Sequence, residues 1–347
     1  MALIEFTDKG LFCRQGDFYI DPWKPVPRAV ITHAHSDHAR PGNESYLSHH
    51  HTKPLLRARL GEHHYESIEW GETVHMNGVK ISLHPAGHMI GSSQVRVEYQ
   101  DDIWVVSGDY KIENDGISGQ FEALRCKKFI TESTFGLPIY KWKTQVEIFQ
   151  SIQQWVLANK DAGRTSVLTA YSLGKAQRLL PCLAAVSENI FVHGAIWNMH
   201  EALTTAGWKL PQVIRVTPDM PKETFKGSVV IAPSSAESSP WIKRFSPYAV
   251  GVCSGWMQVR GNVRRRNVDA GFPLSDHADW PGLLDAIHAT GAEQVFVTHG
   301  FQAAFSRYLN EIGIPSAEVK TEYGMEDEGN TPVADENEIT NQVDEQS

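Results

Sequence analysis

The chain has 347 residues, 41% of them hydrophobic, which suffices for one large or two ordinary domains whose core needs no covalent staples. No apolar run approaches the roughly 20 residues that cross a bilayer, and Met1 to Lys9 show no charged-then-apolar leader, so a cytoplasmic protein away from membranes is expected. The four cysteines, Cys13, Cys126, Cys182 and Cys253, lie far apart with no CxxC pair, which argues against a disulfide framework or a cysteine zinc site, and the net charge of −9 leaves no basic excess over the whole surface.

Short apolar, β-branched runs alternate with helical stretches and no repeat period is visible, the pattern of an α/β protein with helices packed outside sheets. Phe18-Tyr-Ile leads into Asp21, a carboxylate placed to orient a ligand histidine from behind. The strand predicted over Arg28–Thr32 runs into His33-Ala-His35-Ser-Asp37-His38, four ligand-type side chains within six residues. At such density imidazoles and carboxylates crowd one another unless a metal compensates them. Nitrogen and oxygen donors suit zinc, whose bound water has a pKa of about 7. His49-His-His51 reads as a solvated loop, because adjacent residues seldom reach one ion together.

Strands predicted over Val79–Leu83 and Ile103–Val106, with Gln94–Val97 between them, are followed by Ala86-Gly-His88 and Ser107-Gly-Asp109. In both, the flanking glycine lets backbone approach a site closely, and a carboxylate such as Asp109 has two oxygens with which to bridge two ions. A strand over Phe129–Thr131 leads to Glu132, a carboxylate able to hold a histidine in its protonated form.

From Thr144 to Asn159 the spacing is helical, and strand and helix then alternate through Ser166–Ala170, Lys175–Leu183, Phe191–His193, Asn198–Ala206, Ser228–Ala232 and Ala249–Cys253. This block shows no obvious metal-ligand cluster. Residues 143–267 are therefore expected to form an α/β domain inserted into a metal domain made of residues 1–142 and 268–320. The densest cations, Arg260, Arg264, Arg265 and Arg266, suit phosphate clamping, since guanidinium groups grip phosphate bidentately. Lys175 and Arg178 are further phosphate candidates. Trp256, beside the basic run, is the tryptophan placed to stack a base, whereas Trp23, Trp142, Trp197 and Trp208 suit packing better.

Downstream, Pro273-Leu-Ser-Asp-His277 precedes a helix over Pro281–Ala289, and a strand over Gln294–Thr298 ends on His299. The Asp276-His277 pair suits a proton donor beside metals. From Thr321 to Ser347 there are nine acids and no Lys or Arg, so the rest of the chain holds 32 of each sign and is neutral. Residues 321–347 read as an acidic, disordered tail.

Together these motifs resemble those of the metallo-β-lactamase superfamily and, within it, the β-CASP nucleases, over about Phe18 to Gly313. The resemblance implies an αββα sandwich with an inserted β-CASP cap. Asp21, the His33–His38 run, His88 and Asp109 match the superfamily's four metal motifs; Glu132, His277 and His299 match β-CASP motifs A, B and C. Ala170-Tyr-Ser-Leu-Gly-Lys-Ala-Gln177 is similar to a segment of the cap. The run Ser254-Gly-Trp-Met-Gln-Val-Arg-Gly leading into Ser275-Asp-His-Ala-Asp-Trp280 resembles, more narrowly, the bacterial ligase-associated DNA exonucleases, which are similar to Artemis-like repair nucleases. Artemis-like enzymes usually carry valine at motif C, and His299 is the residue of RNA-processing members, so DNA against RNA stays open.

By that resemblance His33, His35 and His88 hold one ion, Asp37, His38 and His299 hold another, and Asp109 bridges them: two Zn2+ per chain, with Mn2+ as the alternative. The pair polarises phosphate and activates water for in-line attack. Asp37, Glu132 and His277 are the implied catalytic residues, with His277, supported by Glu132, protonating the leaving oxygen. An ATP-dependent DNA ligase and a helicase are the implied partners. The competing readings are a ribonuclease of the same family, a small-thioester or lactam hydrolase, and a non-catalytic subunit that binds nucleic-acid ends.

Overall fold

The computed structural model describes residues 2–323 apart from 238 and 267, and of residues 260, 263 and 265 the backbone only. Walking the chain, β1 (Glu5–Phe6), β2 (Leu11–Cys13), β3 (Phe18–Ile20), β4 (Arg28–Val30), β5 (Ser45–His49) and β6 (His64–Ile68) form a first sheet in sequence order, with helix α1 (Thr52–Leu60) between the last two strands. Next come β7 (Thr73–Met76), β8 (Val79–Pro85), β9 (Ser93–Tyr99), β10 (Asp102–Val106) and β11 (Lys128–Ser133) of a second sheet.

The chain then leaves these sheets. It runs through α2 (Gln145–Asp161), β12 (Thr165–Thr169), α3 (Lys175–Ala184), β13 (Ile190–Val192), α4 (Gly194–Thr205), β14 (Ile214–Arg215), β15 (Val229–Ala232), β16 (Tyr248–Cys253), α5 (Arg260–Arg266) and β17 (Ala270–Phe272). These six strands form a third, wholly parallel sheet in the order β14-β13-β15-β12-β16-β17. Its last strand lies past residue 267, where the inserted unit was expected to end. After α6 (Trp280–Thr290), β18 (Gln294–Gly300), α7 (Gln302–Glu311) and β19 (Ser316–Glu318) complete the second sheet, ordered β19-β18-β11-β10-β9-β8-β7.

Alternation along the strands explains the layers, because successive side chains point to opposite faces. In β10, Trp104 and Val106 enter a core shared with Leu11, Phe18, Val30 and Leu47 of the first sheet, whereas Val105 points away. Registers place Val105 beside Phe129 and Phe129 beside Val295, and that row packs on Leu283 and Ile287 of α6 and Phe305 of α7. On the far side of the first sheet, Ala29 and Tyr46 meet Leu55 and Leu56 of α1 and Leu203 of α4. The result is four layers, helix, sheet, sheet, helix.

The third sheet is covered on both faces, as an all-parallel sheet must be. Its first helix starts at Thr144, whose hydroxyl accepts the Glu147 N–H while the Glu147 carboxylate accepts the Thr144 N–H. Ile148, Ile152 and Val156, four apart, then form the buried stripe, each fully buried side chain contributing about 1.5–3 kcal/mol. No helix among the described residues is long and apolar enough to cross a membrane.

Candidate metal centre

Strands β8, β10, β11 and β18 run in the same direction and so deliver their carboxyl ends to one edge of the second sheet. His88 follows the first, Asp109 the second, and Glu132 and His299 lie at the ends of the other two. The β11–β18 register shifts between Thr131 and Ser133, leaving Glu132 as the residue at the irregularity, a device that re-aims one side chain. The loop His33–His38 follows β4 of the facing sheet, and the two sets meet. His33, His35, His38, His88, Asp109, Glu132, His277 and His299 are all buried; Asp37 is at the rim.

Two glycines make the approach possible. Gly108 has φ +57°, and a Cβ there would sit 2.7 Å from Thr32 Cβ. Gly87 has φ +75°, and its Cβ would lie 2.4 Å from the Lys111 carbonyl oxygen. Any side chain at either position would push Asp109 or His88 off its site.

Each imidazole is oriented by the nitrogen facing away from the centre. Carbonyl and carboxylate oxygens only accept, so His38 Nδ1 donates to Asp21 Oδ2 (2.7 Å), His88 Nδ1 to the Asp276 carbonyl (2.9 Å), His35 Nε2 to the Leu173 carbonyl (2.9 Å) and His277 Nδ1 to Glu132 Oε2 (2.8 Å). Asp21 also accepts the Thr32 N–H (2.8 Å) and hydroxyl (2.5 Å), tying the start of the histidine loop to the end of β3. Because the Thr32 hydroxyl is spent on Asp21, its oxygen takes the His33 Nδ1 proton (3.0 Å).

The inward atoms converge. Asp109 Oδ2 is 3.4 Å from both His33 Nε2 and His38 Nε2 and 3.9 Å from His88 Nε2, while Oδ1 is 2.9 Å from His299 Nε2. His35 Nδ1 lies 3.1 Å from His88 Nε2, and Asp37 Oδ2 3.7 Å from His38 Nε2. Ligand atoms of His33, His35, His88 and Asp109 fall within 4.8 Å of one another, as do those of His38, Asp109 and His299 and those of Asp109, Glu132 and His277, so Asp109 is common to three groups. His33 Nε2, His38 Nε2 and both Asp109 oxygens are buried without a hydrogen bond of acceptable geometry. A donor set of this kind fits metal cations and is costly without them.

Electrostatics follow the same geometry. Burial opposes protonation of His38, but the Asp109 and Asp37 carboxylates outweigh it and raise its pKa well above the ordinary value. His33, buried beside His38, is pushed well below. Burial would raise the Asp109 carboxyl, yet His38 and His299 hold it well below the usual range.

Beside the centre, the Glu132 carboxylate accepts the Tyr110 N–H on Oε1 (2.8 Å) and His277 on Oε2. His277 stands ring to ring with His88 at 4.7 Å, and Trp142 Nε1 donates to its carbonyl (3.0 Å).

Lys175 and Arg178 differ from the phosphate-facing role expected of them. Gly174, φ +95°, starts α3 directly under His35 and Met89, so the first helical turn is internal. Both cations are buried against Asp276, Arg178 Nη1 at 2.8 Å from Oδ1 and Lys175 Nζ at 3.7 Å from Oδ2. Burial would raise the Asp276 carboxyl, but these cations outweigh it and lower it. On α5, Arg264 is exposed and Arg266 reaches within 3.8 Å of Glu237; the side chains of Arg260 and Arg265 lie outside the described residues. Trp256 is half-buried in an aromatic cluster with Phe135 (4.9 Å) and Tyr140 (5.8 Å) rather than standing free.

The His49-His-His51 reading is corrected. These residues are not a solvated loop: His49 is buried and stacked on Trp70 at 4.2 Å, and His51 meets Trp208 edge-on at 4.8 Å. Burial and the neighbouring imidazoles hold His49 at about 3 and His51 at about 4.

Two contributors to the centre went unseen in the sequence. Tyr323 stacks on His38 (4.5 Å, 13°) and its hydroxyl donates to the Asp21 carbonyl (3.2 Å). Arg59 of α1 is partly buried and donates to the Ala34 carbonyl (2.5 Å), pinning the histidine loop. Asp276, read in the sequence with His277 as a proton-donor pair, instead anchors α3 through Arg178 and Lys175. Neither Tyr323 nor Arg59 carries a local signal; each acts from a distant part of the chain. The tail reading for 321–347 lies outside the described residues beyond Tyr323.

No family model matches the chain. It is 30% identical over 308 residues to a probable DNA ligase of Opitutus terrae, an alignment covering 88% of this chain and 30% of that one. It is 28% identical over 117 residues to the endoribonuclease YSH1 of Eremothecium gossypii, 33% of this chain and 15% of that one. It is 25% identical over 123 residues to the RNase aCSPSF2 of Saccharolobus solfataricus, 35% of this chain and 25% of that one. The chain thus spans less than a third of the length of these curated relatives. Among solved structures, a protein of unknown function from Enterococcus faecalis matches with a TM-score of 0.57 at 11% identity, over 85% of this chain and 79% of that one, a likeness of fold.

Proposed function

We propose that this protein is a β-CASP nuclease of the metallo-β-lactamase superfamily, with the third sheet and its helices as the cap, hydrolysing phosphodiester bonds at a two-metal centre. The observation that carries it is Asp109 shared between two histidine groups with the His277–Glu132 pair beside them. His33, His35 and His88 would hold one ion and Asp37, His38 and His299 the other, zinc or manganese, with Asp109 contacting both. When bound, such ions supply Lewis acidity to a phosphate oxygen and a water.

The chain's own groups do the rest. Asp21, Thr32 and the Leu173 and Asp276 carbonyls fix the ring orientations, and Glu132 holds His277 so that Nε2 serves as proton donor to the departing sugar oxygen. Exposed Arg264 of α5, with the other arginines of that helix, would grip the phosphate backbone.

DNA as substrate, with exonucleolytic action coupled to an ATP-dependent ligase and a helicase, is the first reading. It is supported by the similarity to a probable DNA ligase along most of the chain. RNA is the second reading, favoured by His299 and by the similarity of a third of the chain to proteins named as ribonucleases. Digestion of end-labelled single- and double-stranded DNA and matched RNA, with and without chelator, tests both. Chelator-sensitive loss of DNA alone supports the first, loss of RNA alone the second, and loss of neither rejects the nuclease assignment.

A further inference from the structure

A second histidine cluster shares no residue with the first. His49 ends β5, His51 immediately precedes α1, and the turn between strand and helix curls three consecutive imidazoles onto one point. Their ring centroids are 4.3, 4.7 and 3.8 Å apart, and each ring offers one nitrogen within 4.8 Å of the others. His49 Nε2, His50 Nδ1 and His51 Nδ1 are buried and make no aligned hydrogen bond. Glu69 supplies a carboxylate oxygen 3.0 Å from His50 Nδ1 and 3.9 Å from His49 Nε2, a charge contact rather than an aligned hydrogen bond. Trp70, stacked on His49, and Trp208, from the segment after α4, wall the cluster and hold its rings in place.

We propose that His49, His50, His51 and Glu69 form an additional zinc site, structural in role, that pins the start of α1 beside the α4 segment of the inserted unit. Three imidazole nitrogens and one carboxylate oxygen match the four donors that tetrahedral zinc takes. The His51 N–H to His49 Nδ1 contact is long, 3.4 Å, and gives way when that nitrogen takes the proton and Nε2 binds metal. Packing rather than sequence spacing makes the geometry: a strand end, a helix start and two indoles restrict the rings, a restriction a loop would lack.

The site is tested on the untagged full chain carrying His33→Ala, His88→Ala, His38→Ala and Asp109→Ala, which removes ligands from both halves of the first centre. The chain is stripped with chelator and zinc returned stepwise, with bound metal counted by mass spectrometry and unfolding temperature recorded. One zinc per chain should still bind and raise the unfolding temperature, and adding His50→Ala with His51→Ala should remove both effects. Glu69→Gln on the same background should weaken binding by about tenfold or more, and it carries the test if the histidine variants do not fold. Zinc uptake that neither the histidine changes nor Glu69→Gln alters overturns the proposal. If those four changes cost no zinc relative to the unmodified chain, the first centre is misassigned and the second stands on its own result.

Discussion

His277 Nδ1 lies 2.8 Å from Glu132 Oε2, although 145 residues separate the two, because β11 and the loop before α6 end at the same edge of the second sheet. The contact fixes which nitrogen faces the centre. His277→Ala should leave zinc content unchanged and lower kcat roughly 10²–10⁴-fold, the usual span for a general acid. Glu132→Gln should fall in the same direction by less, since an amide still accepts a hydrogen bond but carries no charge. Metal analysis beside single-turnover rates checks both; zinc loss in His277→Ala would make His277 a ligand instead.

The Asp21 carboxylate accepts three hydrogen bonds, from the Thr32 N–H, the Thr32 hydroxyl and His38 Nδ1. Asp21→Ala frees the His38 ring and the loop start together, so zinc affinity at the centre should drop about 10–100-fold. Competition against a fluorescent chelator reads this directly, and affinity equal to the unmodified chain would contradict the role.

Gly108→Ala tests the close approach of the Asp109 turn to Thr32. The left-handed backbone alone costs about 1–2 kcal/mol for an L side chain, and the Cβ at 2.7 Å from Thr32 Cβ adds to it. The unfolding midpoint in urea should fall accordingly with zinc affinity falling too. A variant as stable as the parent would mean the turn can relax.

Arg264 and Arg178 should behave oppositely. Arg264→Ala should reduce the slope of log affinity against log salt by about 1 on duplex DNA, the signature of one lost phosphate contact. Arg178→Ala leaves Asp276 buried with a weakened partner set, so stability should drop by about 3–5 kcal/mol with no specific change of slope. Fluorescence titrations over a salt series, with denaturant melts, separate the two.

All four cysteines are buried, and burial pushes the Cys126 thiol up to about 11 and the Cys182 thiol up to about 12. Thiolate is the reactive form. At pH 8 the native chain should therefore release no colour from a disulfide-exchange reagent until denaturant is added, and a fast-reacting equivalent would show one site to be open.

Much of the fold was readable because its signals are local. Short apolar, β-branched runs marked β8, β10, β12, β16 and β18, and the Thr144–Glu147 capping box sits at the helix start expected there. The short strands β1, β2, β5, β6 and β14, and helix α1 behind the histidine triplet, carry too few residues or too mixed a pattern to announce themselves. Their pairing comes from neighbours in the sheet. Likewise, buried cations read as surface cations: nothing in Lys175-Ala-Gln-Arg178 reveals that Asp276 waits under the helix.

The sequence by itself determined the candidate donors of the first centre, because His33 to His38 lie in one loop and Gly87 and Gly108 adjoin His88 and Asp109, a pattern encoded within a few residues. Only the tertiary structure decided how those donors are aimed and which other groups join them. Ring orientation depends on acceptors from remote segments, Leu173, Asp276, Asp21 and Glu132, and on Tyr323 stacked over His38. It also decided that His49, His50 and His51 converge. Three adjacent rings splay on an open chain; a strand end, a helix start and the indoles of Trp70 and Trp208 bring them together.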